Sequence, residues 1–548
     1  MGRRTIWTLG LIPFVSAALY AQVSSDRLLR AADEPQNWLT YSGSYSSHRH
    51  SALQQITPAN VNELEMKWVF QAQSLNSFQA TPLVVDGVMY LTQAPNDVVA
   101  IDAKTGRLFW IYTYAASPGR LCCRGLVNRG LAILGNTLFM ATVDAHLVAL
   151  DAKNGRPLWN TKVAEAKDNY GMTVAPLVVK DKVIVGAAGG EFGIRGFIAA
   201  FAADTGNEVW RFYTIPGPGE FGFETWAKGG DAWKHGGASV WVTGSYDPDL
   251  NLTYWGTGNP GPDWNAKQRP GDNLFSDSVV ALDADTGKLR WHFQFTPNDP
   301  YDYDSTQVPI LVNARWDGSP RKLMYCANRN GFFYVLDRAT GQFLLGRPYG
   351  RVNWASGVDT HGRPVLTPQP AGMPTYPGLF GVTNWFSPSY SPRTGLFYVS
   401  TYEEYADVFD DPGEPVAFEP GQTYSGGNLQ AVPGTAPMPM LARGPINTWH
   451  EGNAHGAVKA IEPLTGELKW TFAMHDLATS GILTTGSDVL FVGGREGYFL
   501  ALDARSGAVL WKVNVGGMVV AAPITYEVKG KQLVAIAAGN SLFAFGLR

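Results

Sequence analysis

The 548-residue sequence has few cysteines and few charges: three Cys, 16% Asp, Glu, Lys and Arg, and a formal net charge of -4. It has no run of basic residues, so neither nucleic acid nor an anionic membrane surface is expected as a partner. Beyond the first 21 residues no segment approaches the roughly 18 apolar residues of a membrane-spanning helix. Phosphate-loop, zinc-helix and nucleophile-elbow motifs are also absent, which argues against the enzyme classes that depend on them.

The first 21 residues have the composition of an export signal. Arg3 and Arg4 precede an apolar stretch at 6–19, and small residues suited to a cleavage site follow at Ala17, Ala18 and Ala21. The stretch is short for a bilayer span, which favours a cleaved signal over the alternative of an uncleaved anchor. We therefore predict a signal peptide at 1–21, a single mature domain at 22–548, and a periplasmic or secreted location.

One pattern recurs along the chain: an apolar strand, a polar turn that ends in Gly, and then a Trp. It appears as VVAIDAKTGRLFW, ending at Trp110, and as LVALDAKNGRPLW, ending at Trp159, while Leu345 replaces the Trp in another copy. A period near 40–50 residues with β-type flanks is typical of propeller blades. The turn glycines of the seven copies are Gly106, Gly155, Gly206, Gly287, Gly341, Gly466 and Gly507.

The repeats predict an all-β, eight-bladed β-propeller whose repeat Trp side chains dock between neighbouring blades. Seven blades come from the seven copies, and we assign the eighth to the degenerate turn SPSYSPRTGLFYVS around Gly395. Insertions at about 212–275 and 401–456 interrupt the spacing, and long loops in a compact repeat fold usually carry function. Propellers serve as enzymes, scaffolds and receptors, so function must be argued from site residues.

Four local motifs hold residues suited to chemistry. Two contain acids: TPNDPYDYDS, with Asp302 and Asp304, and GAAGGEFGIRG, with Glu191. Carboxylate and amide oxygens select a hard cation over zinc or copper, and a carboxylate beside such a cation can take the proton of an alcohol. The other two motifs are CCRGLVNRG, which begins at Cys122, and a Trp- and Gly-rich segment that runs from ETWAKGG to GTGNPGPDWN.

The adjacent pair Cys122 and Cys123 has two interpretations. Neighbouring Cα atoms are about 3.8 Å apart, below the usual disulfide range, so a bridge between them would be strained. Two buried free thiols are the ordinary alternative. We expect Cys326 to be an unpaired core thiol.

With its repeats and these motifs, the chain resembles the quinoprotein alcohol dehydrogenases that depend on pyrroloquinoline quinone (PQQ), of the soluble type without a fused cytochrome c domain. The resemblance covers essentially the mature chain and implies PQQ and one metal ion as cofactors. It implies a Cys122–Cys123 disulfide over one face of the quinone and Trp241 under the other. The further cofactor contacts that it implies are Arg129, Thr173, Gly189, Gly190, Thr225 and Asn384.

By the same resemblance the metal ligands are Glu191, Asn259, Asp302 and Asp304. Asp302 is the base that takes the hydroxyl proton, and Arg329 hydrogen-bonds the reactive quinone oxygens, where negative charge develops. An acid at position 304 is similar to the lanthanide-dependent branch of the family, because one more carboxylate favours a trivalent ion. The expected ion is a lanthanide or Ca²⁺, since the same acid also occurs as a structural residue in calcium enzymes.

The sequence departs from the family at Gln79, Ala188 and Thr479, where Glu, Ser and Trp are common, so fewer contacts are expected at the cofactor rim. No C-x-x-C-H motif is present, and electrons are therefore expected to pass to a separate acceptor such as a cytochrome c. The expected partners are this acceptor and a small alcohol, with no nucleic acid and no membrane span after signal removal.

Three functions stay open. The first is oxidation of an alcohol to the aldehyde with PQQ and a metal ion. The second is a non-catalytic propeller that scaffolds the cell envelope, although a scaffold has no need of the predicted metal ligands. The third is a quinoprotein dehydrogenase for a sugar or a polymeric alcohol, with the insertion at 401–456 forming part of its pocket.

Overall fold

Eight antiparallel sheets each form one blade of a closed β-propeller. They are seen in a computed structural model that describes residues 23–74, 76, 78–117, 126–410, 413–432 and 454–548. Seven blades have four strands, and one has a fifth because His50–Ser51 pairs in parallel with Leu483–Thr485. The prediction of an all-β, eight-bladed propeller is confirmed.

Blades are numbered along the chain, and the strands of each are given in sheet order. The strands of blades 1 to 4 are Leu83–Val85, Val88–Gln93, Asp97–Asp102 and Leu108–Tyr112; Leu131–Leu134, Thr137–Ala141, His146–Asp151 and Pro157–Lys162; Leu177–Val179, Lys182–Gly186, Phe197–Ala202 and Glu208–Tyr213; and Ser245–Asp247, Leu252–Gly256, Ser278–Asp283 and Leu289–Gln294. The strands of blades 5 to 8 are Ile310–Trp316, Ser319–Ala327, Phe332–Asp337 and Phe343–Pro348; Ser389–Ser391, Leu396–Glu403, His455–Glu462 and Glu467–Met474; Leu483–Thr485, Val489–Gly493, Tyr498–Asp503 and Val509–Asn514; and Ile524–Val528, Lys531–Ala538, Ser541–Leu547 and Leu64–Gln71.

The repeat Trp side chains dock on the glycine turn of the next blade, as the sequence predicts. Trp110 donates through Nε1 to the carbonyl oxygen of Ala152 at 3.2 Å, and a Cβ on Gly155 would lie only 2.6 Å from its ring. Gly155 also has φ +72°, so both the backbone and the packing require glycine there. The same arrangement joins Trp68 to Gly106, Trp159 to Gly206, Trp210 to Gly287, Trp291 to Gly341 and Trp470 to Gly507.

The eighth blade is not where the sequence predicts it. Gly395 lies in the turn between the first two strands of blade 6, the blade whose last two strands flank the repeat turn at Gly466. Blade 8 instead combines three C-terminal strands with Leu64–Gln71, which pairs with Ser541–Leu547. The assignment around Gly395 is wrong because the closing blade joins both ends of the chain, so no turn connects its last two strands and no repeat signature marks it.

The connections between blades contain little regular structure. Within the described ranges the one α-helix is Ser25–Leu29, and two small sheets pair Ala355–Val358 with Pro364–Leu366 and Asp407–Phe409 with Leu429–Ala431. The 3₁₀ helices of those ranges are Ala31–Asp33, Val61–Glu63, Ala166–Asp168, Gly190–Phe192, Phe223–Thr225, Ala227–Gly229, Ala232–His235 and Ala266–Gln268.

No helix in the part of the chain that the structure describes has both the length and the apolar character to cross a membrane. The predicted signal peptide at 1–21 lies outside the described residues, so its boundary stays a prediction.

Candidate active site

One end of the propeller collects nearly all the predicted site residues. In an antiparallel blade the connection between the second and third strands and the connection to the next blade leave from the same end. Loops of the first kind carry Glu191, Asn259 and Arg329, and loops of the second kind carry Arg129, Thr173, Thr225, Trp241, Asp302, Asp304 and Asn384. The sheet topology therefore brings residues from five blades to one surface.

Asp304 accepts hydrogen bonds from two different loops at this end of the propeller. Its Oδ1 accepts from the backbone N–H of Asn259 at 2.9 Å, and its Oδ2 accepts from Arg329 Nη1 at 2.8 Å. Burial raises the pKa of Asp304, while Arg329, the Asn259 amide and the Trp241 side chain oppose that rise. Asp304 thus links the loops of blades 4 and 5.

Asp302 faces the same guanidinium from the other side. Its Oδ2 lies 3.4 Å from Arg329 Nη2, and its backbone has φ +60°, a region that Asp tolerates better than most residues. Burial raises the pKa of Asp302 well above its usual range, although Arg329 acts to lower it. Arg329 is anchored by two hydrogen bonds to the carbonyl oxygen of Leu379, so its position does not depend on the acids alone.

The loop with both acids is held by side chains that face away from the site. Asp299 accepts from the backbone N–H groups of Tyr301 at 2.8 Å and Tyr303 at 2.5 Å. Burial raises the pKa of Asp299 to about 6, and these two hydrogen bonds limit the rise. Fully buried Arg269 donates to the carbonyl oxygens of Asp299 and Asp263, which ties this loop to the loop after Asn259.

Glu191 and Asn259 complete the predicted ligand set. Glu191 is exposed to solvent, although protein atoms surround its carboxyl group. Burial raises its pKa, and so does the nearby charge of Asp304. Asn259 Oδ1 faces Gly190, 3.8 Å from where a Cβ on that glycine would be, and Asn259 Nδ2 donates to Asp263 Oδ1 at 2.9 Å.

A second group of predicted residues surrounds Trp241. Arg129 Nη1 donates to Thr173 Oγ1 at 2.7 Å, and the Arg129 guanidinium lies 4.7 Å from the ring centres of both Trp241 and Trp385. Asn384, next to Trp385, is buried and donates to the carbonyl oxygen of Phe380 at 3.2 Å. The structure therefore brings Arg129, Thr173 and Trp241 into contact.

Gly189, Gly190 and Thr225 are predicted cofactor contacts, and their contacts in the structure differ from one another. Gly190 borders Asn259, whereas a Cβ on Gly189 would lie 2.4 Å from the carbonyl oxygen of Asn169, so packing explains that glycine. Thr225 donates to the carbonyl oxygen of Gly222 and accepts from the backbone of Leu274. These contacts do not reach Asp302 or Asp304. The cofactor-binding role of Thr225 therefore stays a prediction without structural support.

Cys122 and Cys123 lie outside the described residues, so their disulfide stays a prediction too, whereas Cys326 is a buried free thiol.

Part of the second insertion covers the site. The backbone N–H of Tyr424 donates to the carbonyl oxygen of Glu191 at 2.7 Å, and the N–H of Trp264 donates to that of Ser425 at 2.8 Å. Phe418 stacks on His235, with ring centres 3.6 Å apart. The described segment 413–432 therefore packs against the loops that carry Glu191 and Asn259.

The donor set fits a hard cation. Glu191, Asn259, Asp302 and Asp304 offer only carboxylate and amide oxygens. Among the described residues no three His, Cys, Asp or Glu side chains form a metal site by themselves. Asp302 and Asp304 both contact Arg329, so an ion that binds them competes with this guanidinium.

The surroundings of Trp241 fit a flat, polar cofactor. Its indole, Thr173 and the Arg129 guanidinium provide a ring face, a hydroxyl and a cation. On the loop before blade 1, the buried Oε1 of Gln79 has no hydrogen-bond partner within the described ranges. Thr479, by contrast, already donates to the carbonyl oxygen of Val519 at 2.8 Å.

Sequence reasoning misses four residues at the site. Ser239 Oγ lies within 3.1 Å of where a Cβ on Gly190 would be, and Trp385 faces Arg129. Asp263 and Asp277 are buried acids whose pKa burial raises, to about 8 for Asp263. Ser239 could have been found from its position two residues before Trp241, whereas the two acids have no local signal that separates them from solvated loop residues.

Known proteins with similar sequences share this architecture. Residues 38–347 match the family described as PQQ: Glucose/ethanol/alcohol dehydrogenase, beta-propeller domain. Over 98% of its length the chain is 35% identical to Quinoprotein alcohol dehydrogenase PedH of Pseudomonas putida, of which it covers 92%. Over 97% of its length it is 36% identical to a Lanthanide-dependent methanol dehydrogenase of Methylacidiphilum fumariolicum, of which it covers 88%.

Two solved structures superimpose closely. The quinohemoprotein alcohol dehydrogenase ADHIIG of Pseudomonas putida HK5 gives a TM-score of 0.89 at 34% identity, covering 96% of this chain and 83% of that one. A europium-containing methanol dehydrogenase gives 0.86 at 33% identity, covering 95% of this chain and 100% of that one.

The fold and the site define a propeller oxidoreductase whose acids and arginine converge at one end. More specifically, the chain belongs to the PQQ-dependent quinoprotein alcohol dehydrogenases, as the sequence predicts. Residues 454–546 also match the family described as Outer membrane protein assembly factor BamB. That segment contains repeat strands of blades 6 to 8 and none of the predicted metal ligands, so it does not favour the scaffold alternative.

Proposed function

We propose that this chain oxidises a small alcohol to the aldehyde with PQQ and one hard cation bound at the loop end of the propeller. The observation that carries the proposal is the convergence of Asp302, Asp304 and Asn259 with Arg329, from loops of two neighbouring blades. PQQ, when bound, would supply the acceptor for the hydride, and with it the two electrons, that the alcohol loses. The side chains take the hydroxyl proton and hold the reacting groups in place.

Asp302 is the proposed base. Its carboxylate is buried beside Arg329 and can take the hydroxyl proton at Oδ1 or Oδ2. Arg329 holds that carboxylate in place and offers N–H groups to negative charge that develops beside it. The carboxylates of Asp302 and Asp304 outweigh the effect of burial on Arg329 and raise its pKa, so it stays charged throughout.

The proposed ion ligands are Glu191, Asn259, Asp302 and Asp304. The carboxylate at position 304 favours a lanthanide, and relatives named as a lanthanide-dependent and a europium-containing methanol dehydrogenase support that choice. Ca²⁺ is the alternative, because it accepts the same oxygen ligands. With Asp263 and Asp277 nearby, several buried carboxyl groups face few buried cations, and such a balance favours the higher ionic charge.

The proposal extends to the substrate, the export of the protein and the electron acceptor. A primary alcohol is the proposed substrate, and a sugar or polymeric alcohol is the alternative, with Tyr424 and the rest of segment 413–432 beside the site. We also propose export through the signal-like residues 1–21 and transfer of electrons to a separate acceptor such as a cytochrome c.

Substitution of Asp302 by Asn tests the proposed base. The amide keeps the size of the side chain but cannot take a proton, so kcat is expected to fall by about 10²- to 10⁴-fold, with PQQ still bound. Asp247→Asn is the matched control, because Asp247 is also a buried carboxylate but pairs with Arg338, away from the loop end. If Asp302→Asn keeps the wild-type kcat, Asp302 is not the base.

A further inference from the structure

Asp263 lies directly behind a proposed metal ligand. Asn259 Nδ2 donates to Asp263 Oδ1 at 2.9 Å, and both side chains are buried. This hydrogen bond turns the NH₂ group of the Asn259 amide toward Asp263 and its oxygen away. That oxygen faces Gly190, the residue before Glu191.

The backbone around Asp263 is fixed from several sides. Fully buried Arg269 donates to the carbonyl oxygens of Asp263 at 2.9 Å and Pro262 at 3.1 Å. The next residue, Trp264, donates through its backbone N–H to Ser425 at 2.8 Å. A carboxylate on so constrained a segment holds its partner in one orientation, as groups behind metal ligands commonly do.

The other side of Asn259 is fixed as well. Its backbone N–H donates to Asp304 Oδ1 at 2.9 Å, which sets the main chain, whereas the side-chain torsion depends on Asp263. Asp263 is the hydrogen-bond partner that turns the amide nitrogen of Asn259 away from the side of Gly190 and Glu191. Only the oxygen can bind a hard cation.

We propose that Asp263 is a positioning residue: its carboxylate orients the Asn259 amide so that the oxygen, and not the nitrogen, faces the bound ion. This inference rests on the proposed metal site and extends it by one residue that is not itself a ligand.

Europium binding to the PQQ-loaded, metal-free protein provides the test. Eu³⁺ luminescence gives the affinity, and lifetimes in H₂O and D₂O give the number of water molecules on the ion. For Asp263→Ala we expect affinity about 10- to 100-fold below wild type, as for other groups that support metal ligands. We also expect an additional bound water, because the Asn259 oxygen no longer fills its place.

Two variants separate orientation from charge. Asp263→Asn can offer Asn259 either an oxygen or an NH₂ group, so it no longer selects one orientation and is expected to gain a water as Asp263→Ala does. Asp277→Asn removes the charge of another buried carboxyl that makes no side-chain hydrogen bond within the described ranges, and is expected to keep the wild-type hydration of Eu³⁺. If Asp277→Asn gains a water as Asp263→Ala does, loss of a buried charge rather than the orientation of Asn259 explains the effect, and the inference is wrong.

The remaining outcomes are also distinct. Wild-type affinity and hydration in Asp263→Ala would overturn this inference alone. Absence of Eu³⁺ binding to the wild type would instead overturn the proposed metal site, and the inference with it. Should Asp263→Ala fail to fold, Asp263→Ser takes its place, since the shorter side chain also fails to reach Asn259.

Discussion

Arg329 Nη1 donates to Asp304 Oδ2 at 2.8 Å, which places this cationic side chain against the acid at position 304. The same guanidinium reaches Asp302 at 3.4 Å. An ion that binds both aspartates must therefore share them with Arg329. Loss of the carboxylate at position 304 would leave Arg329 and a bound ion with one negative charge fewer between them.

Asp304→Ala is expected to lose turnover with La³⁺ while PQQ still binds. The substitution removes one of the proposed anionic ligands, and a trivalent ion depends on that charge more than a divalent one does. Turnover should be measured with La³⁺ and with Ca²⁺ as the added ion. Undiminished La³⁺-dependent turnover in Asp304→Ala would contradict the proposed role of this residue.

Replacement of Arg329 is expected to change the pH profile as well as the rate. Arg329 lowers the pKa of Asp302, so its loss in Arg329→Gln raises that pKa. Because the base acts in its deprotonated form, the acidic limb of kcat/KM should move to higher pH, and kcat should fall about 10²-fold or more.

Arg329→Lys is the matched variant for that experiment. It keeps the charge but not the planar fork that contacts Asp302, Asp304 and the carbonyl oxygen of Leu379 together. We expect a lower kcat with a smaller displacement of the acidic limb. Equal displacement in both variants would show that the charge of Arg329 does not control Asp302.

Gly155 tests the docking of the repeat Trp side chains. Gly155→Ala places a Cβ 2.6 Å from the Trp110 ring at φ +72°, and overpacking with backbone strain should cost about 1–3 kcal/mol in the free energy of unfolding. Gly395→Ala is the control, since Gly395 has φ +71° with nothing within 4 Å of its Cβ position. Urea unfolding should show a larger loss for Gly155→Ala. Equal losses would mean that backbone strain alone accounts for the effect.

Two histidines near the N-terminus predict a loss of stability in acid. Burial lowers the pKa of His48 and His50 to about 4, whereas an unfolded chain has a value of about 6.5. Below about pH 6.5 the unfolded chain binds protons that the folded protein does not, so the free energy of unfolding falls as pH drops toward about 4. Above that range these residues contribute no pH dependence.

His48→Gln should make this dependence shallower. The Gln amide can still donate to the carbonyl oxygen of Leu311, the partner of His48, but does not titrate. Exposed His361→Gln is the control and should leave the dependence unchanged. An identical loss between pH 7 and pH 5 in His48→Gln and the wild type would contradict the role of His48.

The repeats made most of the fold predictable, because each blade carries its own turn and Trp. The exception is the closing blade, where Trp68 docks on Gly106 like the others, but no repeat turn precedes it in sequence. Its strand pairs with Ser541–Leu547 across nearly the whole chain. No local pattern encodes a pairing between the two ends of a sequence.

The site was predictable only in part. Motifs identified Asp302, Asp304 and Arg329, which the structure brings into contact. Trp385 contacts Arg129 of another loop, so its place at the site depends on how blades are arranged around the ring. Asp263 hydrogen-bonds to Asn259 of its own loop, but no local pattern marks it as a buried acid. For Thr225 the motif predicted a contact that the structure does not show. It lies in a segment that resembles the family, but its hydrogen bonds go to Gly222 and Leu274.

Reconstitution of the mature chain tests the central claim most directly. The protein would be loaded with PQQ and either La³⁺ or Ca²⁺, and dye reduction followed with a panel of primary alcohols. We predict alcohol-dependent turnover that requires both PQQ and an added ion, with La³⁺ the better of the two. No turnover with either ion, together with no PQQ binding in a titration, would contradict the account.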